Sequence, residues 1–203
     1  MEINDIIINA ILCALQAGLV MTAADLTVAL GHFSLDSYAD SSRGPEFLRA
    51  LAKANQLHHA RPLEFTTKTL LENARETALI GVAIVLLACL AGVLSWQVWL
   101  YAVVIGASAA FHRFQHLPID QVPCLIKLLQ AVGLLQSRRQ HADHHRVHHA
   151  QYAIMLSWTN PLLETIQAPR FVKGMLKTCC EIKALDIKLI AEALRREWKE
   201  QRT

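Results

Sequence analysis

No lysine or arginine precedes Arg43, although the chain of 203 residues holds 20 of them and carries a net charge of +3. The opening "MEIND" is acidic, and no small-residue cleavage site follows cleanly, so a signal peptide is not expected. The uncharged run at residues 6–24 reads instead as a retained transmembrane helix whose pattern continues to Asp36. Charge of either sign is then missing from residues 77–111, "TALIGVAIVLLACLAGVLSWQVWLYAVVIGASAAF". These 35 residues exceed one bilayer crossing of about 20. They suit two tightly joined short helices that turn at "GVLSW", with Trp96 and Trp99 near an interface. A buried helical hairpin in a soluble protein is the competing reading, but soluble cores seldom avoid charge for so long. Paired cysteines are missing too. The five present show no CxxC spacing, which argues against a disulfide framework or a zinc ribbon. They read as reduced thiols, buried or membrane-embedded, with no chemical role. Neither an internal repeat nor a low-complexity segment is apparent.

With 53% apolar and 18% charged residues, the chain is oilier than an ordinary soluble domain of its size. Its basic residues lie at 43–75, 113–146 and 170–202, all on one side if the 77–111 hairpin crosses out and back. Positive-inside reasoning makes that side cytoplasmic and puts the N-terminus opposite. The expected fold is therefore an all-α integral membrane bundle of about three to four spans. Residues 117–135, interrupted by Pro118, Asp120, Pro123 and Lys127, suit an interfacial or half-inserted helix. Residues 152–166 are too short to cross alone. The last 34 residues alternate charged and apolar side chains at helical spacing, as a basic amphipathic surface helix does.

What the chain has in excess is histidine. Ten occur, and five of them fill the eleven residues of "QHADHHRVHHA". All ten fall on the expected cytoplasmic side, close to a membrane boundary. His112 and His116 in "HRFQH" share a helix face at i, i+4, as do His32 and Asp36 in "HFSLD". His141, His145 and His148 share another face if their segment is helical, with His144 and His149 beside them. His58 and His59 form a further doublet. Eight or more imidazoles drawn from four segments exceed what one zinc ion takes, since structural zinc sites close at four ligands. Two metal ions share them more naturally, and an imidazole-rich, open coordination sphere suits iron. An exposed metal-scavenging tract would explain residues 140–149 alone, but not the other clusters. Asp36 is expected to act in catalysis or to orient a histidine, and Asp143 to face solvent.

The motifs "HFSLD", "QLHHARP", "HRFQH", "HADHHRVHH" and "WTNPLLE", in that order, resemble those of the Kua-type lipid desaturase family. The resemblance spans residues 6 to about 166. It implies a membrane desaturase domain at 1–168, with the amphipathic helix following at 169–203. It also implies that His32, His58, His59, His112, His116, His141, His144, His145 and His148, with Asp36, hold or support two iron ions. Dioxygen would be the co-substrate and a phospholipid the substrate, its acyl or ether-linked alkyl chain receiving a double bond, in the second case a plasmalogen-type vinyl ether. With no fused electron carrier in the sequence, the electrons are expected from a separate protein such as cytochrome b5 or a ferredoxin. No nucleic-acid partner is expected, and an endoplasmic-reticulum or bacterial inner membrane would serve equally. The stretch "YAIMLSW" at 152–158 is less polar than the family's pattern, and features of the animal, plant and bacterial branches are mixed. Three other readings remain open at this stage. A di-iron hydroxylase would use the same ligands, a zinc-dependent lipid hydrolase would need only about three histidines and an acid, and a metal carrier would leave lipids unchanged.

Overall fold

The computed structural model describes residues 3–147, 151–167 and 170–174. Two compact units divide the chain, Met1–Leu162 and Leu163–Thr203. In the second, the described residues 163–167 and 170–174 are mainly helical, and most of the expected amphipathic tail lies outside the described residues.

The first unit is helical, and its only β-type pairing among the described residues is an isolated bridge between Leu135 and Leu156. Helix α1 (Ile3–Tyr38) runs for 36 residues without a proline. At 1.5 Å per residue it is about 54 Å long, well beyond a hydrocarbon core of about 30 Å. Its first part supplies the apolar length, and His32 and Asp36 ride on the excess. Helix α2 (Glu46–Ala60) and the single turn α3 (Glu64–Thr67) follow. Helices α4 (Leu70–Leu90) and α5 (Trp96–His116) then form the expected hairpin. Helix α6 (Cys124–Ala131) is only eight residues long, about 12 Å, too short to cross a bilayer by itself. Helix α7 (Arg138–Val147) carries the dense histidine tract, and α8 (Thr159–Thr165) closes the series.

Local chemistry sets these boundaries. Thr69 and Glu72 make a reciprocal capping box at the start of α4, and Ser95 accepts the Val98 N–H at the start of α5. Between them Gly92, at φ +67°, lets the Val93 N–H return to the Ala88 carbonyl and its own N–H to that of Cys89. That left-handed stop is a glycine's position. It explains why the hairpin turns where the sequence suggests.

Two helices, α1 and α4, are long and apolar enough to cross a membrane. None of the most apolar window of α1 and only 11% of that of α4 is buried inside the fold. Neither is thus the sequestered core helix of a soluble protein; most of the leucines and isoleucines in their apolar stretches, such as Leu12, Leu19, Leu79 and Leu87, face outward, as do Cys13 and Cys89. The core lies between α1, α5 and the chain after α7, where Ala24, Val104, Ile105, Leu135 and residues 154–156 cluster. Helices α4 and α5 pack backbone to backbone. Thr77 donates to the Gly106 carbonyl, and a Cβ at Gly81 would meet the Ala102 carbonyl oxygen at 2.6 Å. Gly81→Ala is therefore expected to destabilise the fold by about 1–3 kcal/mol, as overpacking does. Gly18→Ala, with nothing within 4 Å, should leave the melting temperature of the detergent-solubilised chain unchanged.

Candidate metal centre

Helical spacing brings the histidines together in a particular way. Residues four apart on a helix differ by about 40° in direction, and adjacent residues by about 100°. The i, i+4 pairs His112–His116, His141–His145 and His32–Asp36 accordingly each fall within one donor group. The doublets His58–His59 and His144–His145 are split between two. His58, His112, His116, His141 and His145 form a first donor group, and His32, Asp36, His59 and His144 a second. Within each group, the ligand atoms lie within 4.8 Å of one another. The groups adjoin, with the His59 and His145 rings 4.9 Å apart between centroids.

In the first group, the Nε2 of His141 lies 2.8 Å from that of His112, 2.9 Å from that of His116 and 3.0 Å from that of His145. His116 and His112 are 3.2 Å apart at the same atoms. An Nε2 atom either donates or accepts, never both at once. The triangle of His112, His116 and His141 thus always contains a mismatched pair if hydrogen bonds alone hold it. A cation resolves the mismatch. Imidazole nitrogens bound at right angles, each about 2.1 Å from one ion, sit roughly 3.0 Å apart. His58 closes the group, its ring 4.6 to 4.8 Å from those of His112, His145 and His116. Both of its ring nitrogens are buried without a hydrogen-bond partner, a costly arrangement that an ion bound at the lone-pair nitrogen would partly relieve.

The second group adds an anion. Asp36 Oδ1 accepts from the Asn55 amide at 2.7 Å and lies 3.0 Å from His59 Nε2. Its other oxygen has no hydrogen-bond partner and stands 3.7 Å from His32 Nε2 and 3.6 Å from His144 Nε2. Those separations are too long for hydrogen bonds and fit donors that share an ion. His32 Nδ1 is 3.1 Å from the Tyr152 carbonyl. A carbonyl only accepts, so Nδ1 carries the proton and Nε2 keeps its lone pair for the group.

Burial favours the neutral form of three first-group rings, those of His58, His141 and His145. Together with the charges that His116 and His145 would carry, it pushes His58 down to about 2. It takes His145 to about 3 and His141 far below the ordinary imidazole range. Neutral imidazoles are the metal-binding form, so these three are ready to bind at physiological pH.

Of the nine histidines expected as ligands, eight gather here, and His148 lies outside the described residues. His149 is likewise outside them. Asp36 belongs to the second group, and Asp143 faces outward in a 2.9 Å pair with Arg146. Sequence reasoning missed the supports. Asp25, fully buried in α1, accepts the N–H groups of Met155 and Leu156 at 3.2 and 2.9 Å. Asn160 bonds both the N–H and the carbonyl of Ala153, and Gln115 donates to Gln136 and to the Ile154 carbonyl. An aspartate inside a span-length apolar helix was the available signal for the first.

A helical fold with two helices of membrane-spanning length and two adjoining imidazole-rich groups able to hold metal ions defines the class of the chain. The lipid desaturase domain family matches residues 21–184, and the chain belongs to that family. The match begins later and reaches further into the C-terminal tail than the motifs alone suggest. The chain is similar to "Fatty acid desaturase 4, chloroplastic" of Arabidopsis thaliana, 34% identical over 147 residues, 70% of this chain and 45% of that protein. "Fatty acid desaturase 4-like 1, chloroplastic" of the same plant is 30% identical over 155 residues, 74% of this chain and 51% of that protein. A probable fatty acid desaturase of Acanthamoeba polyphaga mimivirus is 24% identical over 164 residues, 79% of this chain and 80% of that one. The chain spans about half the length of the plant relatives it matches. No solved structure matches it.

Proposed function

We propose that the chain is a multi-pass membrane enzyme that holds two iron ions and desaturates a lipid chain. What carries this reading is the pair of adjoining donor groups, five histidines in one and three histidines with Asp36 in the other. When bound, iron would supply, with dioxygen and two external electrons, an oxidant able to take hydrogen from an unactivated C–H bond. The overall balance is –CH2–CH2– plus O2, two electrons and two protons, giving –CH=CH– and two waters. The family and the names of the relatives favour a fatty acyl chain; a phospholipid is the proposed carrier, and an ether-linked alkyl chain is the other substrate of the same chemistry. Electrons come from a separate carrier of the cytochrome b5 or ferredoxin kind.

The chain's own residues have definable tasks in this reading. His58, His112, His116, His141 and His145 hold one ion, and His32, His59, His144 and Asp36 hold the other. Asp36 supplies the second group's negative charge, which offsets the cation in a poorly hydrated site. His141 and His144 are at most 1% exposed, so bulk water does not reach these two rings. The Tyr152 carbonyl fixes the His32 tautomer. Helix α5 makes the return crossing beside α4 and α1, delivering His112 and His116 to the bilayer boundary on the side rich in lysine and arginine, which is the cytoplasmic one. A lipid can then stay in the bilayer while its chain reaches the ions.

The test is lipid mass spectrometry on cells with and without the full chain, paired with metal analysis of the purified protein. Lipids two hydrogens lighter, together with about two irons per chain, are the expected result. A product heavier by one oxygen would make the enzyme a hydroxylase. Zinc without dioxygen consumption would sink the redox reading.

A further inference from the structure

Residues 152–156 form a buried, non-helical strap whose backbone groups are satisfied largely by side chains from elsewhere. Two of those side chains act as pins. Asp25 accepts the N–H groups of Met155 and Leu156, and Asn160 takes both the N–H and the carbonyl of Ala153. At the strap's other end, the Tyr152 carbonyl meets His32 Nδ1. Asp25 and His32 are seven residues apart in α1, so they share a face about 10.5 Å apart along its axis. Three residues of extended chain, from Tyr152 to Met155, span about 10 Å. The two lengths match, so pinning Met155 and Leu156 at Asp25 sets where the Tyr152 carbonyl falls against His32. The Met155 carbonyl, which accepts the Gln136 N–H at 2.7 Å, prevents the strap from sliding along the helix.

The geometry points to Asp25 and Asn160 as positioning residues. They hold the 152–156 strap in register so that Tyr152 presents its carbonyl to His32 and keeps that ring's Nε2 aimed into the second donor group. Neither residue touches an ion. They act through the strap's backbone, and the strap's direct hydrogen bond to a donor ring is the one to His32 of the second group. The first group's members come from α2, α5 and α7, and the strap meets that side through Gln115, which donates to the Ile154 carbonyl, with no hydrogen bond to a first-group ring among the described residues. The inference rests on the two-metal reading above and assigns a distinct support to one half of it.

An anaerobic Fe2+ titration of the full chain in detergent separates the possibilities. Wild type should take up two equivalents. Asp25→Asn keeps the shape but sets an amide NH2 against one of two N–H donors, and Asn160→Ala removes the other pin. Each should weaken one equivalent by about ten- to a hundredfold, the usual cost of losing an outer support, while the other stays within about twofold of wild type. Thr27→Val removes a contact of α1 with Tyr101 that does not involve the strap, and should leave both equivalents unchanged. A pin variant that keeps both equivalents at wild-type affinity, or weakens the two equally, overturns that residue's role. Equal weakening would mark it as a prop of the whole fold. A wild-type chain that binds no iron at all would instead bring down the two-metal reading, and this inference with it.

Discussion

Replacing His141 by alanine is expected to abolish lipid desaturation, with a loss of at least about a hundredfold, and to remove about one iron per chain. Its Nε2 is the hub of the first group, at 2.8 to 3.0 Å from those of His112, His116 and His145. Even supports outside the ligand shell typically contribute ten- to a hundredfold in metal affinity or activity, so a central donor should contribute no less. The ring is 1% exposed, and nothing mobile can take its place from solvent. Asp143→Ala, two residues along the same helix, is the informative contrast. Asp143 lies on the outer side, paired only with Arg146, and its loss should leave iron content and product unchanged. An exposed scavenging tract would behave otherwise. There iron would fall in small, similar steps as histidines were removed one by one. Iron analysis and product yield on the two purified variants decide between these patterns.

The i, i+4 histidine pairs were legible in the sequence because a helix is a local object and its period fixes which side chains meet. The hairpin was legible for a similar reason: an uncharged run of that length has few stable fates, and Gly92 lies within the stretch expected to turn. Which histidines fall in which donor group was not legible. His58 and His59 read as one doublet, and the decision that they serve different centres comes from where α2 sits against α1, α5 and α7. The departure "YAIMLSW" looked like a mismatch with a polar family pattern. In the fold, Tyr152 to Leu156 are buried, so their side chains must be apolar, and the polarity is supplied by Asp25, Gln115 and Asn160. Contacts spanning 130 residues, such as that between Asp25 and Met155, leave no local trace in a sequence. Three to four spans were expected; two helices meet the requirement of length and apolarity, because α5 ends in His112, Arg113, Gln115 and His116, the residues it delivers to the site.

Asp36→Asn should leave the chain folded with one metal ion instead of two. The amide preserves the shape and can still accept the Asn55 hydrogen bond, now made at 2.7 Å. The variant lacks the only negative charge among the four donors of the second group. Three neutral imidazoles then face a doubly charged ion in a largely buried site, and Coulomb attraction at low effective dielectric is worth several kcal/mol at about 4 Å. A hundredfold or greater weakening of one equivalent is the expected result in an Fe2+ titration, with the first group's equivalent unaffected and desaturation lost. Asn55→Ala should cause a milder shift, about tenfold, because it removes a hydrogen bond to the carboxylate and leaves the charge in place. The alternative role for Asp36 is that of a proton-handling residue that binds no ion. In that case Asp36→Asn would lose product formation while retaining both equivalents at wild-type affinity. The titration therefore separates a ligand from a proton carrier at a position where the sequence allowed either.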